Sequence, residues 1–312
     1  MKLSKPSFWD YKRPIFISYL LLPFTVPIII NNFFLNLKKN KKITNIKSIC
    51  IGNIYVGGTG KTPLTIKISQ ILNKLNIKTA TIKKFYKDQI DEQKLLASKT
   101  NLYCSKKRRV SLNQTIQNNI DVVLFDDGLQ DRSMNYDLSF VCFNTLSWIG
   151  NGLLMPAGPL REKIQSISKY DAVFLNGNEE NSSDIKVIIK KYNPTIEIFE
   201  TSYHATNITE FQHDEKYLVF SGIGNPATFG NTLRKNNLNV VKHLIFPDHY
   251  TYTEENIAKI KSQAKNLNAK ILTTEKDFVK LNIENSSGIQ FLKIDIKIKE
   301  ENKLKKFIKS NI

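Results

Sequence analysis

The segment Val56-Gly57-Gly58-Thr59-Gly60-Lys61-Thr62-Pro63 constrains this chain more than any other stretch. It follows the apolar run SICIGNI and precedes the amphipathic run LTIKISQILNKL. The pattern therefore predicts a strand, a glycine-rich turn and a helix in immediate succession, the context of a Walker A loop. Glycines let successive backbone N–H groups face a phosphate at the helix N-terminus, where the helix dipole also favours an anion. In that arrangement Lys61 reaches the β- and γ-phosphates of a nucleotide such as ATP, and the Thr62 hydroxyl ligates Mg²⁺. The usual first glycine of the motif is replaced by Tyr55, so the turn is expected to be built from Gly57 and Gly58.

A site of this kind needs a carboxylate at the end of a neighbouring strand. The run VVLF supplies two, delivering Asp126 and Asp127 to the sheet edge where α/β ligands bind. One of them is placed to hold Mg²⁺ directly or through water. Strands are predicted at 46–54, 79–83, 122–126, 138–143 and 172–175, with helices at 61–75, 92–98 and 112–118. Continuous Val/Ile/Leu runs between helices indicate a parallel sheet covered on both faces. A polar boundary zone at 176–210 contains a short strand at 196–199. A second α/β series follows, with strands at 217–221, 240–246, 269–273 and 290–296 and a terminal helix. The expected organisation is an N-terminal segment at 1–42, a P-loop NTPase-like domain at 43–205 and a smaller α/β domain at 206–312.

The chain carries 46 Lys and Arg against 28 Asp and Glu, a formal charge of +18. That balance first suggests nucleic acid. Only six of the basic residues are Arg, however, and a joint excess of Lys, Ile and Asn also arises from an AT-rich genome. Residues 1–50 hold nine of the cations against Asp10 alone, so +8 is concentrated there. Between its basic clusters, residues 14–37 contain no charged side chain. That length could span a bilayer. Pro23, Pro27, Asn31, Asn32 and Asn36 interrupt it, and Lys flanks both ends. A segment lying in the interface against anionic lipid fits better than a span or a buried core helix. No small-residue site follows for signal cleavage. Cys50, Cys104 and Cys142 lack metal or redox spacing and read as free thiols in a reducing compartment.

Five blocks, taken in order, resemble the lipid A disaccharide 4′-kinases, the tetraacyldisaccharide 4′-kinase family. VGGTGKTP at 56–63 is similar to that family's P-loop, which also lacks a glycine at the position of Tyr55. DDGLQDR at 126–132 resembles its DDGFQHR, with Leu129 for Phe and Asp131 for His. GNGLLMPAGPLRE at 150–162, SGIGNPATF at 221–229 and TEKDFVKL at 274–281 complete the set. The resemblance implies transfer of the ATP γ-phosphate to the 4′-hydroxyl of a membrane-bound acylated glucosamine disaccharide 1-phosphate. It implies Mg²⁺ and a monomer at the cytoplasmic face of the inner membrane of a Gram-negative bacterium, with no nucleic-acid partner.

Roles follow residue by residue from that resemblance. QIDEQKLLA resembles the family's GDEPxLLA block, which makes Asp91 the candidate base; the same residue also reads as a helix N-cap. FPDHY resembles its F-x-D-H-H block, which makes His249 the partner of that base. The pair is expected to come from opposite domains, coupling proton transfer to closure. Arg161 would neutralise transferred charge, Glu162 would help bind Mg²⁺, and Gln130 would touch nucleotide or a metal-bound water. Arg109, in the basic run 106–109, would meet the substrate's 1-phosphate. The run 83–87 departs from the family's Ser-Arg-Gly-Tyr-Gly type and is given no role. TEKD is also left without a chemical role. The rival reading is a soluble P-loop GTPase or ATPase of the metallochaperone type. It would require a base-reading Asn-Lys-x-Asp motif or Cys/His ligands, and the chain has neither.

Overall fold

In the computed structural model, residues 5–37, 41–42, 46–131, 133–177 and 182–312 are described. Lys2, Lys38, Lys39, Arg132 and residues 178–181 of the predicted boundary zone lie outside them. Two compact units emerge. One comprises Lys5–Lys84, Thr100–Ser202 and Ile298–Ile312; the other comprises Phe85–Lys99 and Tyr203–Lys297. This division differs from the expected cuts at 43–205 and 206–312 in two places. The segment Phe85–Lys99 leaves the P-loop unit, and the C-terminal helix returns to it.

The larger sheet has eight strands in the order β14-β9-β8-β7-β2-β5-β3-β4. These are β2 (Lys47–Gly52), β3 (Thr79–Lys84), β4 (Leu102–Ser105), β5 (Val122–Asp126), β7 (Leu138–Asn144), β8 (Ala172–Asn176), β9 (Glu197–Ala205) and β14 (Ile294–Ile298). Every pairing from β9 through β4 is parallel. A minor parallel pair joins β1 (Lys41–Lys42) to β6 (Met134–Asn135). All five residues of β5 are buried, as expected of a central strand covered on both faces. Helix α3 (Lys61–Asn73) covers the sheet with Leu64, Ile68, Ile71 and Leu72. Helix α11 (Glu301–Asn311) packs Phe307 against Phe140 and Phe199, which is why the C-terminus belongs to this unit.

The second sheet, β11-β10-β12-β13, is parallel throughout. It comprises β10 (Lys216–Ser221), β11 (Asn239–Ile245), β12 (Lys270–Thr274) and β13 (Ile289–Leu292). Strand β10 shows the two-residue period directly. Tyr217 and Val219 pack with Phe229 and Leu233 of α7 (Pro226–Lys235). Leu218 and Phe220 pack with Ile257 and Ile260 of α8 (Glu254–Asn266). Helix α4 (Ile90–Lys99) joins this unit through Lys99–Glu275 at 2.6 Å and the Lys94 ammonium on the Val279 carbonyl at 3.0 Å.

The uncharged N-terminal stretch forms α1 (Phe16–Leu20), a 3-10 turn at Leu22–Thr25 and α2 (Val26–Leu37). Pro23 and Pro27 fall in first turns, where their missing N–H costs nothing. Among the described residues no helix is long and apolar enough to cross a membrane. The burial of this segment is inverted. Ser18 and Thr25 are buried, whereas Phe16 is 81% and Leu20 and Phe24 are 64% exposed, with Phe33 and Phe34 also open.

Candidate active site

In the P-loop unit, β2 ends at Gly52 and the chain turns through residues 53–60 into α3. Gly57 and Gly60 have φ of 128° and 90°, a region closed to ordinary side chains, so the turn needs glycine at both. Asn53 braces the loop from inside, its amide donating to the Thr59 hydroxyl at 3.0 Å. The loop 150–162 clamps the outside. Val56 N–H donates to the Pro159 carbonyl at 2.9 Å, and Arg161 N–H to that of Ile54 at 2.7 Å. Tyr55 is buried, bridges to Leu160 and hydrogen-bonds Asp10 and Lys5. The departure from glycine at this position thus anchors the N-terminal segment. Trp9 and Ser18 bind the same loop, and the Asn32 amide donates to the Arg161 carbonyl at 3.0 Å.

Asp126, at the end of β5, is fully buried. Its oxygens accept from the Thr62 and Thr65 hydroxyls, each at 3.3 Å, and pair with Lys83 at 2.7 Å. Lys83 is itself buried, and sequence reasoning had assigned it nothing. Asp127 has φ of 57°, which turns its carboxylate onto Arg161 at 3.0 Å, with Lys61 at 3.8 Å. Gln130 links the rest: it donates to the Asn53 carbonyl at 2.9 Å and to Glu162 at 3.1 Å, and accepts from Arg161 at 3.2 Å. Tyr170 donates to Glu162 at 3.3 Å. Thus Lys61, Asp127, Arg161, Gln130 and Glu162 form one network, and Thr62, Asp126 and Lys83 form a second set at the end of the adjoining strand.

The basic run 106–109 behaves differently from a solvated face. Arg109 is exposed in the first turn of α5 (Arg108–Gln117), but Arg108 turns inward. Arg108 pairs with Asp131 at 2.9 Å and donates to the Asp127 carbonyl at 2.6 Å. Asp131, the residue standing where the resembled block has His, is therefore Arg108's counterion.

The donor set suits Mg²⁺. Thr62 and Asp126 set a hydroxyl beside a carboxylate, and this ion takes few protein oxygens and keeps phosphate and water for the remainder. Among the described residues no cluster of three or more His, Cys, Asp or Glu could enclose a metal unaided.

In the other unit, Asp91 lies in the first turn of α4, which begins at Ile90, so it is not the N-cap. Its carboxylate meets His249 Nδ1 at 2.9 and 3.0 Å. The expectation that the two residues belong to opposite domains is corrected here, because Phe85–Lys99 packs with the C-terminal unit. Lys276 stands 3.6 Å and Lys280 3.7 Å from Asp91. Lys276 also pairs with Glu92 at 3.2 Å and Asp248 at 3.3 Å. Burial raises the Asp91 carboxyl pKa; the His249 hydrogen bond and the charges of Lys276, His249 and Lys280 outweigh it and hold the group below its ordinary value. Burial likewise opposes charge on Lys276, but Glu92, Asp248 and Asp91 push its pKa up.

His249 has φ of 57°, and its N–H donates to the Gly222 carbonyl at 3.2 Å. Gly222 N–H in turn donates to buried Asp277 at 2.9 Å. Asp277 also takes hydrogen bonds from Thr274 at 2.7 Å and Tyr252 at 3.0 Å, and pairs with Lys280 at 2.6 Å. The TEKD and GIGNP blocks therefore meet at Asp277 and support the histidine.

A model of the tetraacyldisaccharide-1-P 4′-kinase family, LpxK, matches residues 19–312. The tetraacyldisaccharide 4′-kinase of Pelagibacter ubique is 51% identical over 314 aligned positions, covering 100% of this chain and 99% of its own. That of Rickettsia bellii is 33% identical, with 97% of each chain covered. A crystal structure of LpxK from Aquifex aeolicus in complex with ATP superposes with a TM-score of 0.68 at 23% identity, covering 94% of this chain and 99% of that one.

Proposed function

Because the chain belongs to the tetraacyldisaccharide-1-P 4′-kinase family, we propose that the two units divide the family's reaction between phosphate handling and proton removal. The chain is a kinase of lipid A synthesis, phosphorylating the 4′-hydroxyl of the tetraacyldisaccharide 1-phosphate. ATP is the proposed donor. The backbone N–H groups of residues 56–63 and the Lys61 ammonium hold its phosphates, and Arg161 neutralises charge that develops on the transferred group. Thr62 and Asp126 would hold Mg²⁺, with Asp127 and Glu162 as further carboxylates of the set. When bound, that ion supplies charge neutralisation at the phosphate oxygens.

The acceptor sugar must lose a proton as the new P–O bond forms. Asp91 takes it, and His249, hydrogen-bonded to the carboxylate, orients it and can share the proton. The observation that carries this assignment is the buried Asp91–His249 contact at 2.9 Å. Arg109 is proposed to meet the 1-phosphate. The inverted N-terminal segment is proposed to rest on the cytoplasmic face of an anionic membrane. An apolar surface of that kind marks a lipid or protein contact, and the segment's exposed neighbours Lys12 and Arg13 suit anionic lipid.

The test follows radiolabel from [γ-³²P]ATP into purified disaccharide 1-phosphate in detergent micelles. Asp91→Ala is expected to lower the rate by about 10²–10⁴. Unchanged transfer would remove Asp91 from this role, and no transfer by the parent chain would overturn the reading.

A further inference from the structure

Lys83 and Asp126 are both charged and both buried, at 2% and 0% exposure. Strand register brings them together. β3 runs parallel to β5, and Lys83 stands opposite Asp126 in the last pair of the ladder. The ammonium donates to Oδ2 of the carboxylate at 2.7 Å. The Thr62 hydroxyl reaches that same oxygen at 3.3 Å, whereas the Thr65 hydroxyl takes Oδ1 at 3.3 Å. Thr62 and Asp126 are the donor pair proposed above for Mg²⁺. The chain therefore sets a cation of its own on the carboxylate oxygen that faces the P-loop threonine. Lys83 also opens the run that departs from the resembled Ser-Arg-Gly-Tyr-Gly block, at the position of its Ser.

A buried carboxylate needs a compensating charge, and breaking such a pair is costly. Lys83 supplies that charge in the ligand-free chain. A divalent ion brought to the same oxygen would leave an excess of positive charge in a place where water and salt screen little. Nucleotide phosphates reverse that balance. We propose that Lys83 is the resident counterion of the metal position: it keeps free Mg²⁺ off Asp126 and admits the ion together with nucleotide phosphates. This rests on the kinase reading above and deepens it, because it sets the order in which that site fills. The same ammonium acts on the nucleotide with the opposite sign. It cancels the charge of Asp126, which would otherwise repel the phosphates, so ATP can bind before the metal. Lys83 is thus a positioning residue that acts through Asp126.

The test uses the full chain and its Lys83→Met and Lys83→Arg variants. Mn²⁺, a paramagnetic probe for Mg²⁺, is titrated without nucleotide while the EPR signal of the free ion is read. ATP is titrated separately by calorimetry in EDTA. Lys83→Met should bind Mn²⁺ at least about tenfold tighter than the parent, and metal-free ATP at least about tenfold weaker. Lys83→Arg keeps the charge and should follow the parent in both. A core ion pair without this role would, once broken, weaken both ligands or neither, and either result overturns the inference. If Lys83→Met does not fold, the melting temperature of the parent decides. Mg²⁺ alone is expected to leave it unchanged, ATP in EDTA to raise it, and the two together to raise it further. A rise with Mg²⁺ alone that matches the rise with Mg²⁺ and ATP overturns the inference and leaves the kinase reading, tested by radiolabel transfer, intact. A parent chain that binds no ATP with or without metal would remove both.

Discussion

Asp91 illustrates how neighbours decide what one carboxylate does. It is almost wholly buried, yet His249, Lys276 and Lys280 keep it ionised. Because its pKa is lower in the folded chain than the ordinary value near about 3.9, it stabilises the fold at all pH values above that figure. The contribution is lost as pH falls through the lower native value. Lys276→Met removes one of those charges. The acid limb of the pH–rate profile should then move to higher pH, and denaturant melts should show stability failing at a higher pH than in the parent. An unmoved acid limb would mean that Lys276 does not act through Asp91. Lys83 makes the parallel case in the other unit. Lys83→Met leaves the buried Asp126 carboxylate without its cation, at a cost of about 3–5 kcal/mol, and Mg²⁺ should recover part of the lost melting temperature. Motif spacing singled out Lys61, Thr62 and Asp126 as candidates, and the family resemblance singled out Asp91. Neither could reveal Lys83, Arg108 or Lys276, because each acts on a carboxylate tens of residues away, brought near only by strand order or helix packing.

At the level of elements, short motifs act as joints. Helix α9 (Glu275–Phe278) is a single turn, capped by Thr274, whose hydroxyl accepts from Asp277 N–H at 3.0 Å. The same hydroxyl donates to the Asp277 carboxylate, which reaches Gly222 and so the peptide of His249. Thr274→Val keeps the shape but loses the cap. It should cost about 1 kcal/mol in urea melts and lower kcat more than it raises KM for ATP, because its effect runs to the histidine and not to the phosphate loop. A loss confined to KM for ATP would contradict that route. Central strands were read from sequence within a residue or two because buried Val/Ile/Leu runs leave little choice. β4 was missed: Leu102–Ser105 is a four-residue edge strand with an exposed cysteine and no apolar run. β13 and β14 were read as one strand because both are apolar and only Lys293 separates them.

For the whole molecule, the order of the chain proved a poor guide to its units. Nothing in the composition of residues 85–99 says that they pack with a sheet that begins over a hundred residues later. The ion pairs of Lys99 and Lys276 that hold them there join residues far apart in sequence. The N-terminal segment was legible only as a unit: 24 uncharged residues between Arg13 and Lys38 set it apart, but its composition does not say that Ser18 and Thr25 turn inward while the phenylalanines stay out. Replacing Phe16, Phe24 and Phe33 with Ser should leave the melting temperature within about 0.5 kcal/mol-equivalent of the parent, since all three side chains face outward. Sedimentation with anionic vesicles should fall markedly. Retained sedimentation would place the lipid contact elsewhere. Under the proposed membrane contact, that outward face would also set the concentration scale that governs turnover. An enzyme resting on a surface meets its acceptor lipid in two dimensions, so its rate follows the mole fraction of acceptor in that surface and not the amount per volume. Adding inert detergent to mixed micelles at fixed bulk acceptor should therefore slow the reaction by surface dilution.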